Sequence, residues 1–378
     1  MPNAPFSNAD LMEVVEHSLI NELCLDRYIK SQNKTQDYKS LPNFKVIKLV
    51  TIKKKLGLMW KFAFLCLPAI VIGKLIFQWI LAFIYSFSTN IYKSQVFILS
   101  TSTANNQRIK KCLGTEYDND DAFLLGNFRY LARSQRSIEI CKLVVENLRS
   151  LLRLLIGSQK DKISHIMHFN NSFEMLLLAK FVSSNPQYAY VTDDHYQRWS
   201  FVLSHVASRL KIIQHGYLDS ANDIQFNYDF GRTDTIFLWR AEDKDKFSCF
   251  LQCDEYLSVP LDLDLVNSKL GENCIFLASS SPFLDAEIKF LAVLRQICDS
   301  KVLVKLHPLH SYGKNVNELL KQADEIWSGD EFPKCRIFVS YNSALGEAYA
   351  ASGCSVLKLI DFKSVTEASE EVVRQALL

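Results

Sequence analysis

The chain has 378 residues, 48% hydrophobic and 22% charged, which is more than one hydrophobic core usually organises and excludes a disordered polymer, so two domains are expected. Lys plus Arg number 43 against 41 Asp plus Glu, a balance that excludes the broad basic field with which nucleic-acid binders track phosphates. The 10 cysteines form no CxxC pair and no short secreted disulfide framework. They are read as reduced and buried, and Cys249 with Cys253 lacks the neighbouring His or Cys that a zinc site needs, so no metal is expected.

Met1 to Asp10 lacks a charged and then apolar leader, so no cleaved signal is expected and the bulk of the chain is placed in the cytoplasm. The run from Leu11 to Lys30 has helical spacing with Asn8 as N-cap, and Phe44 to Val50 has the pattern of a short strand. Next comes a very apolar stretch, Leu56 to Phe87, preceded by Lys53, Lys54 and Lys55 and interrupted by Pro68, Gly73 and Lys74. A spanning helix would place Lys74 at mid-membrane, which is costly, and would put the remainder of the chain on the side opposite the basic run. The expectation is therefore attachment to the inner face of the cytoplasmic membrane, by a hairpin broken around Pro68 to Lys74 or by helices lying in the interface. A pair of buried helices is the alternative.

Beyond this stretch short β-rich runs alternate with longer amphipathic ones. Strands are expected at Val96–Ser100, Ser164–Phe169, Tyr188–Val191, Lys211–Ile213 and Thr235–Trp239, with a helical region through Leu155. Ser258 to Asn273, rich in Pro, Asp and Asn, has the composition of a linker. A second series follows at Cys274–Ala278, Lys301–Leu306, Arg336–Val339 and Ser355–Ile360. The order predicts an α/β protein of two doubly wound, Rossmann-type domains facing a cleft. The expected division is an amino-terminal apolar segment over 1–94, a first domain over 95–257, a linker over 258–273 and a second domain over 274–378. Ligands of such sheets sit at the carboxyl ends of strands, so the residues there carry the functional signal.

Four motifs fall at strand ends. Val191-Thr192-Asp193-Asp194-His195 offers carboxylates for a general base, or in Asp193 an N-cap for the next helix. Ile213-Gln214-His215-Gly216 runs a strand into a glycine turn that presents Gln214 and His215, with His215 a candidate base and Asp219 a further carboxylate. Val304-Lys305-Leu306-His307-Pro308 places Lys305 and His307 on one strand face, where a cation and an imidazole suit a phosphate leaving group. Ser340-Tyr341-Asn342-Ser343 precedes a helix carrying Glu347, so Ser340, Asn342 and Ser343 can meet phosphate and Glu347 a ribose, or Ser343 can act as a plain N-cap.

Taken in this order, IIQHG, VKLHP and VSYNSALGEAYAASGCSVL resemble bacterial GT-B enzymes of surface polysaccharide assembly: capsule-type Kdo transferases, sialyltransferases with an HP motif, and CDP-glycerol glycerophosphotransferases. The resemblance covers Ser164 to Ile360. It implies a GT-B fold whose second domain holds a nucleotide-activated sugar, CMP- or other NDP-linked, with His307 and Pro308 near phosphate and Ser340, Ser343 and Glu347 around phosphate and ribose. It implies an acceptor side in the first domain, where His215, Asp193 or Asp194 assists proton removal from a glycan or lipid-linked acceptor. Several members work without a bound metal, which agrees with the absence of a DxD motif at an obvious strand end, since Asp262 and Asp264 fall in the linker. No cofactor beyond the donor substrate is expected. Alternatives of the same fold are a nucleotide-sugar 2-epimerase, a polyol-phosphate transferase and an inactive membrane-associated assembly protein.

Overall fold

The computed structural model describes residues 6–32, 60–87, 96–100, 109, 113, 122–124, 128–157, 162–194, 197–214, 226–259, 265–307, 315–329, 331–341, 343 and 345–377. These fall into two compact units that divide after Val259. Each is α/β with a parallel, Rossmann-like sheet.

Unit 1 opens with two long helices, α1 (Asn8–Gln32) and α2 (Trp60–Tyr85). Then come β1 (Val96–Ser100), β2 (Ala122–Leu124), α3 (Phe128–Arg133), α4 (Ser137–Ile156), α5 (Lys162–Phe169), α6 (Ser172–Ser184), β3 (Ala189–Thr192), α7 (Arg198–Val206), β4 (Leu210–Ile213), β5 (Arg232–Leu238), α8 (Asp243–Ser248) and β6 (Gln252–Ser258). The sheet runs β2-β1-β3-β4-β5-β6 with every pair parallel. Alternation along the strands sorts the core: Ile98, Val191, Ile213 and Phe237 cluster on one face. Phe97 and Tyr190 point to the other, where Phe97 meets Phe181 of α6 at 5.2 Å between ring centroids.

Unit 2 comprises β7 (Leu265–Val266), β8 (Cys274–Ser279), a 3₁₀ turn Ser281–Phe283, α9 (Leu284–Ile297), β9 (Lys301–Leu306), α10 (Val316–Leu320), β10 (Glu325–Ile326), β11 (Phe332–Pro333), β12 (Ile337–Ser340), α11 (Leu345–Ala351), β13 (Ser355–Lys358) and α12 (Val365–Leu377). Its main sheet is β10-β9-β8-β12-β13, again parallel. Ile275, Leu277, Val302, Val304, Ile337 and Val339 pack beneath α9 and α12. Cys274, Phe276, Leu303 and Phe338 pack with Tyr349 of α11 on the opposite face. Both faces are thus covered, as a parallel sheet of near-continuous apolar strands requires.

Three local expectations are corrected. Ser164–Phe169 is helical, not a strand: Ile163, Ile166 and Phe169 recur every third residue, a helical spacing that the shortness of the run concealed. The hairpin expected around Pro68 to Lys74 is one continuous helix that carries Pro68 inside it. Pro68 removes one backbone hydrogen bond, but Val71, Leu75, Gln78 and Ala82, spaced to share one face, are all buried and hold the helix straight on against unit 1. Within the expected linker, Leu265–Val266 is a short strand paired with Phe332–Pro333 of unit 2. The edge strands β2, β6 and β10 went unforeseen; β6 is exposed and charged, the usual dress of an edge. Phe44–Val50 lies outside the described residues.

Candidate functional site

In each sheet the chain order reverses direction at one place, and there the connections leave to opposite sides and open a crevice at the carboxyl ends. In unit 1 this is between β1 and β3, where Ser100 stands beside the Thr192-Asp193-Asp194 turn. In unit 2 it is between β8 and β12.

At the unit 1 end, Asp193 and Asp194 are both buried. Asp194 Oδ2 accepts the backbone N–H groups of Trp199 at 2.9 Å and Ser200 at 3.0 Å. Asp194, rather than Asp193, therefore caps α7. Burial drives its carboxyl up to about 8, with Asp193 and Glu22 adding repulsion against the pull of those two N–H groups. Behind it lies a buried ionic group joining three helices: Glu22 of α1 accepts from Arg198 Nη2 of α7 at 2.8 Å and sits 3.5 Å from His168 Nδ1 of α5. Burial would raise Glu22, but Arg198 and His168 hold its carboxyl below the usual range. His165, one turn before His168, is lowered to about 4 by burial and by His168. Arg198 Nη1 has no hydrogen-bond partner among the described residues, and Arg198 lines a small pocket with Ser18, Asn21, Gln197 and Phe226.

Gln214 is a fastener. Its Nε2 donates to Asp243 Oδ2 at 2.6 Å and its Oε1 accepts from Trp239 N at 2.9 Å, which ties the end of β4 to the turn after β5. His215, Gly216 and Asp219 lie outside the described residues, as do His195, Pro308, Asn342 and the side chain of Glu347.

At the unit 2 end, Lys305 of β9, Ala278 of β8, Ser340 of β12 and Lys358 of β13 stand in register across four adjacent strands, so their side chains share one face. Lys305 Nζ is held by the backbone carbonyls of Gly329 and Glu331 and lies 5.1 Å from the centre of the Phe332 ring. It thereby ties β9 to Gly329 and Glu331. His307 follows immediately and is exposed. Ser340 Oγ accepts Ser343 N at 3.1 Å and Ser343 Oγ accepts Leu345 N at 3.2 Å, so both hydroxyls organise the turn into α11.

On the opposite face, Ser279 Oγ donates to Glu287 Oε2 at 2.6 Å and Ser280 N to Glu287 Oε1 at 3.0 Å. Glu287, fully buried on α9, is raised by that burial to about 7 against these bonds. Phe283, after β8, stacks on Tyr341, after β12, with ring centroids 4.0 Å apart, and so bridges the two strand ends at the crevice. Sequence reasoning missed Glu287, Lys358, Phe283 and Tyr341. The signal for Glu287 was present, since a carboxylate on the apolar side of an amphipathic helix needs a buried partner.

Among the described residues no group of three or more His, Cys, Asp or Glu could hold a metal ion. No protein-family model matches the chain, and no curated protein matches it.

Proposed function

We propose that the chain is a metal-independent glycosyltransferase of the GT-B type, moving a sugar from a CMP- or other NDP-linked donor to a glycan or lipid-linked acceptor in bacterial surface polysaccharide synthesis, at the inner face of the cytoplasmic membrane. The observation that carries this reading is the pair of parallel sheets, each with its polar and ionisable residues gathered at the reversal of strand order, the architecture of a nucleotide-binding two-lobed enzyme. The order of the IIQHG, VKLHP and VSYNS motifs along it supports the family resemblance. Among the described residues one helix, α2, is long and apolar enough to cross a membrane, which adds weak support for membrane association.

The roles in this reading combine the motifs with the geometry of the described side chains. His307, exposed at the end of β9, meets the donor phosphate, and Lys305, steadied by the backbone carbonyls of Gly329 and Glu331, adds positive charge behind it. Lys358, level with Ser340 on the adjacent strand, adds positive charge beside the departing nucleotide. Asp194 holds α7, so proton removal from the acceptor is assigned to His215 or Asp193.

A thermal-shift series with CMP, CDP, UDP, GDP and their sugar conjugates tests the proposal. A ligand at a hundredfold its Kd adds about 2.7 kcal/mol of apparent stability, so one nucleotide class should raise Tm in the wild type and not in His307→Ala. A response to no nucleotide counts against the proposal.

A further inference from the structure

α2 is amphipathic in an unusual sense: its inner face packs and its outer face is more apolar still. Val71, Leu75 and Ala82 are buried in unit 1, while Ile70, Phe77 and Phe87 are 62%, 60% and 70% exposed, with Ile80 and Ile84 between them on the outer arc. Polar ties hold the helix along its length. Lys74 Nζ donates to Asn171 Oδ1 at 3.3 Å, Gln78 Nε2 to Glu174 Oε1 at 2.7 Å, and Trp79 Nε1 to Asn147 Oδ1 at 3.3 Å. A helix fastened to its own unit at three successive points lies on that unit rather than crossing a bilayer away from it.

The Trp79–Asn147 bond and a 2.7 Å contact between the Ser86 and Ser137 hydroxyls set α4 beside α2 and antiparallel to it. α4 also buries one row, Ile140, Leu143, Leu151 and Leu154, and exposes a second apolar row, Ile138, Val145, Leu148, Leu152 and Ile156, the last 83% exposed. With exposed Cys141 between Ile138 and Val145, the spacings are three and four residues and make a continuous stripe. Among the described residues of unit 1, the large apolar side chains left exposed are concentrated on these two neighbouring helices.

Charge identifies the occupant. Although the whole chain is nearly balanced, α2, α3 and α4 together carry seven Lys and Arg against two Glu. On α4, Lys142, Arg149 and Arg153 border the apolar stripe and are largely exposed; each is paired with a glutamate, Glu139 at 2.7 Å, Glu146 at 2.6 Å and Glu16 at 2.9 Å, so the surplus of positive charge comes from the Lys and Arg of α2 and α3. Long basic side chains at the rim of an apolar face reach the anionic headgroups while the face enters the acyl boundary.

We propose that the outer faces of α2 and α4 form one docking surface for an anionic lipid bilayer, with both helices lying in the interfacial plane. The proposal rests on the reading that residues 56–87 work at a membrane surface and adds to it a second helix and an orientation. It does not depend on the transfer chemistry.

Cys141 provides a native reporter, because it is exposed on the α4 stripe, while exposed Cys249 lies outside both helices as an internal control. The experiment alkylates the full chain with and without vesicles of phosphatidylcholine containing about 30% phosphatidylglycerol and reads each cysteine by mass spectrometry, beside co-sedimentation. Cys141 labelling should fall at least about fivefold with these vesicles, and much less with phosphatidylcholine alone, while Cys249 stays unchanged. Vesicle binding should weaken by about tenfold or more both in Phe77→Ser/Ile80→Ser/Ile84→Ser and in Ile138→Ser/Leu148→Ser/Leu152→Ser, each with an unchanged circular-dichroism melt. Normal binding by the α4 variant would overturn the two-helix surface but leave attachment through 56–87 standing. No vesicle binding by the wild type overturns both. Protection of Cys141 without vesicles that grows with protein concentration would assign the surface to self-association instead.

Discussion

Asp194 shows how one carboxyl can look catalytic and act as a fastener. Its Oδ2 takes two α7 backbone N–H groups, so Asp194→Ala should destabilise unit 1 by about 1–2 kcal/mol, and Asp194→Asn, which keeps an oxygen acceptor, by less. Denaturant melts of the two variants check the order. The pH dependence has a definite sign. Asp194 is raised from 3.8 to about 8, and Glu287 and Glu174 from 4.5 to about 7, burial being the first cause in each. A carboxyl whose folded pKa is raised binds its proton more tightly in the fold, so stability falls as pH rises from its unfolded value towards its folded one. Buried His165, lowered from 6.5 to about 4, acts in the opposite sense below pH 6.5, so Tm should decline between about pH 6.5 and about pH 8, and less steeply in Glu287→Gln. A rise over that interval contradicts the burial account. At this scale the sequence showed which turns matter, because polar residues ending apolar strands stand out. It did not show what each side chain does there: Asp193 was offered as the cap that Asp194 makes, and the backbone carbonyls 24 and 26 residues away that Lys305 meets were not foreseen. Such partners come from distant segments, so local patterning carries no trace of them.

The elements themselves are secured by close packing. Gly231 leads into β5 where α7 passes so near that a Cβ there would stand 2.2 Å from the Ser204 carbonyl oxygen. The neighbour is backbone and cannot move aside, so Gly231→Ala should cost about 3 kcal/mol, measurable as a lower urea midpoint. Tyr349 of α11 stacks on Phe338 at 4.5 Å and donates its hydroxyl to Pro333 O at 2.8 Å. Tyr349→Phe keeps the ring and loses the bond, so a deficit of about 1 kcal/mol is expected. The central strands were readable in advance because β8, β9 and β12 are built on apolar runs, CIFLA, VLV and IFV, between turn or polar residues. The two-residue β10 and the charged β6 were not, since an edge needs neither apolar alternation nor length. Pro68 and Lys74 suggested a break in α2 by local rules, and tertiary packing of its inner face overrode them.

For the whole molecule, the two parallel sheets give the chain two crevices of the kind that hold nucleotides, and the unit 2 crevice between β8 and β12 is the one that the donor reading needs. The most direct measurement is hydrogen exchange on the full chain with and without the nucleotide selected by thermal shift. Slowed exchange in 279–284 and 340–346, lost in His307→Ala, is the result this account requires. Binding that leaves both segments unchanged, or protects unit 1 alone, would contradict it.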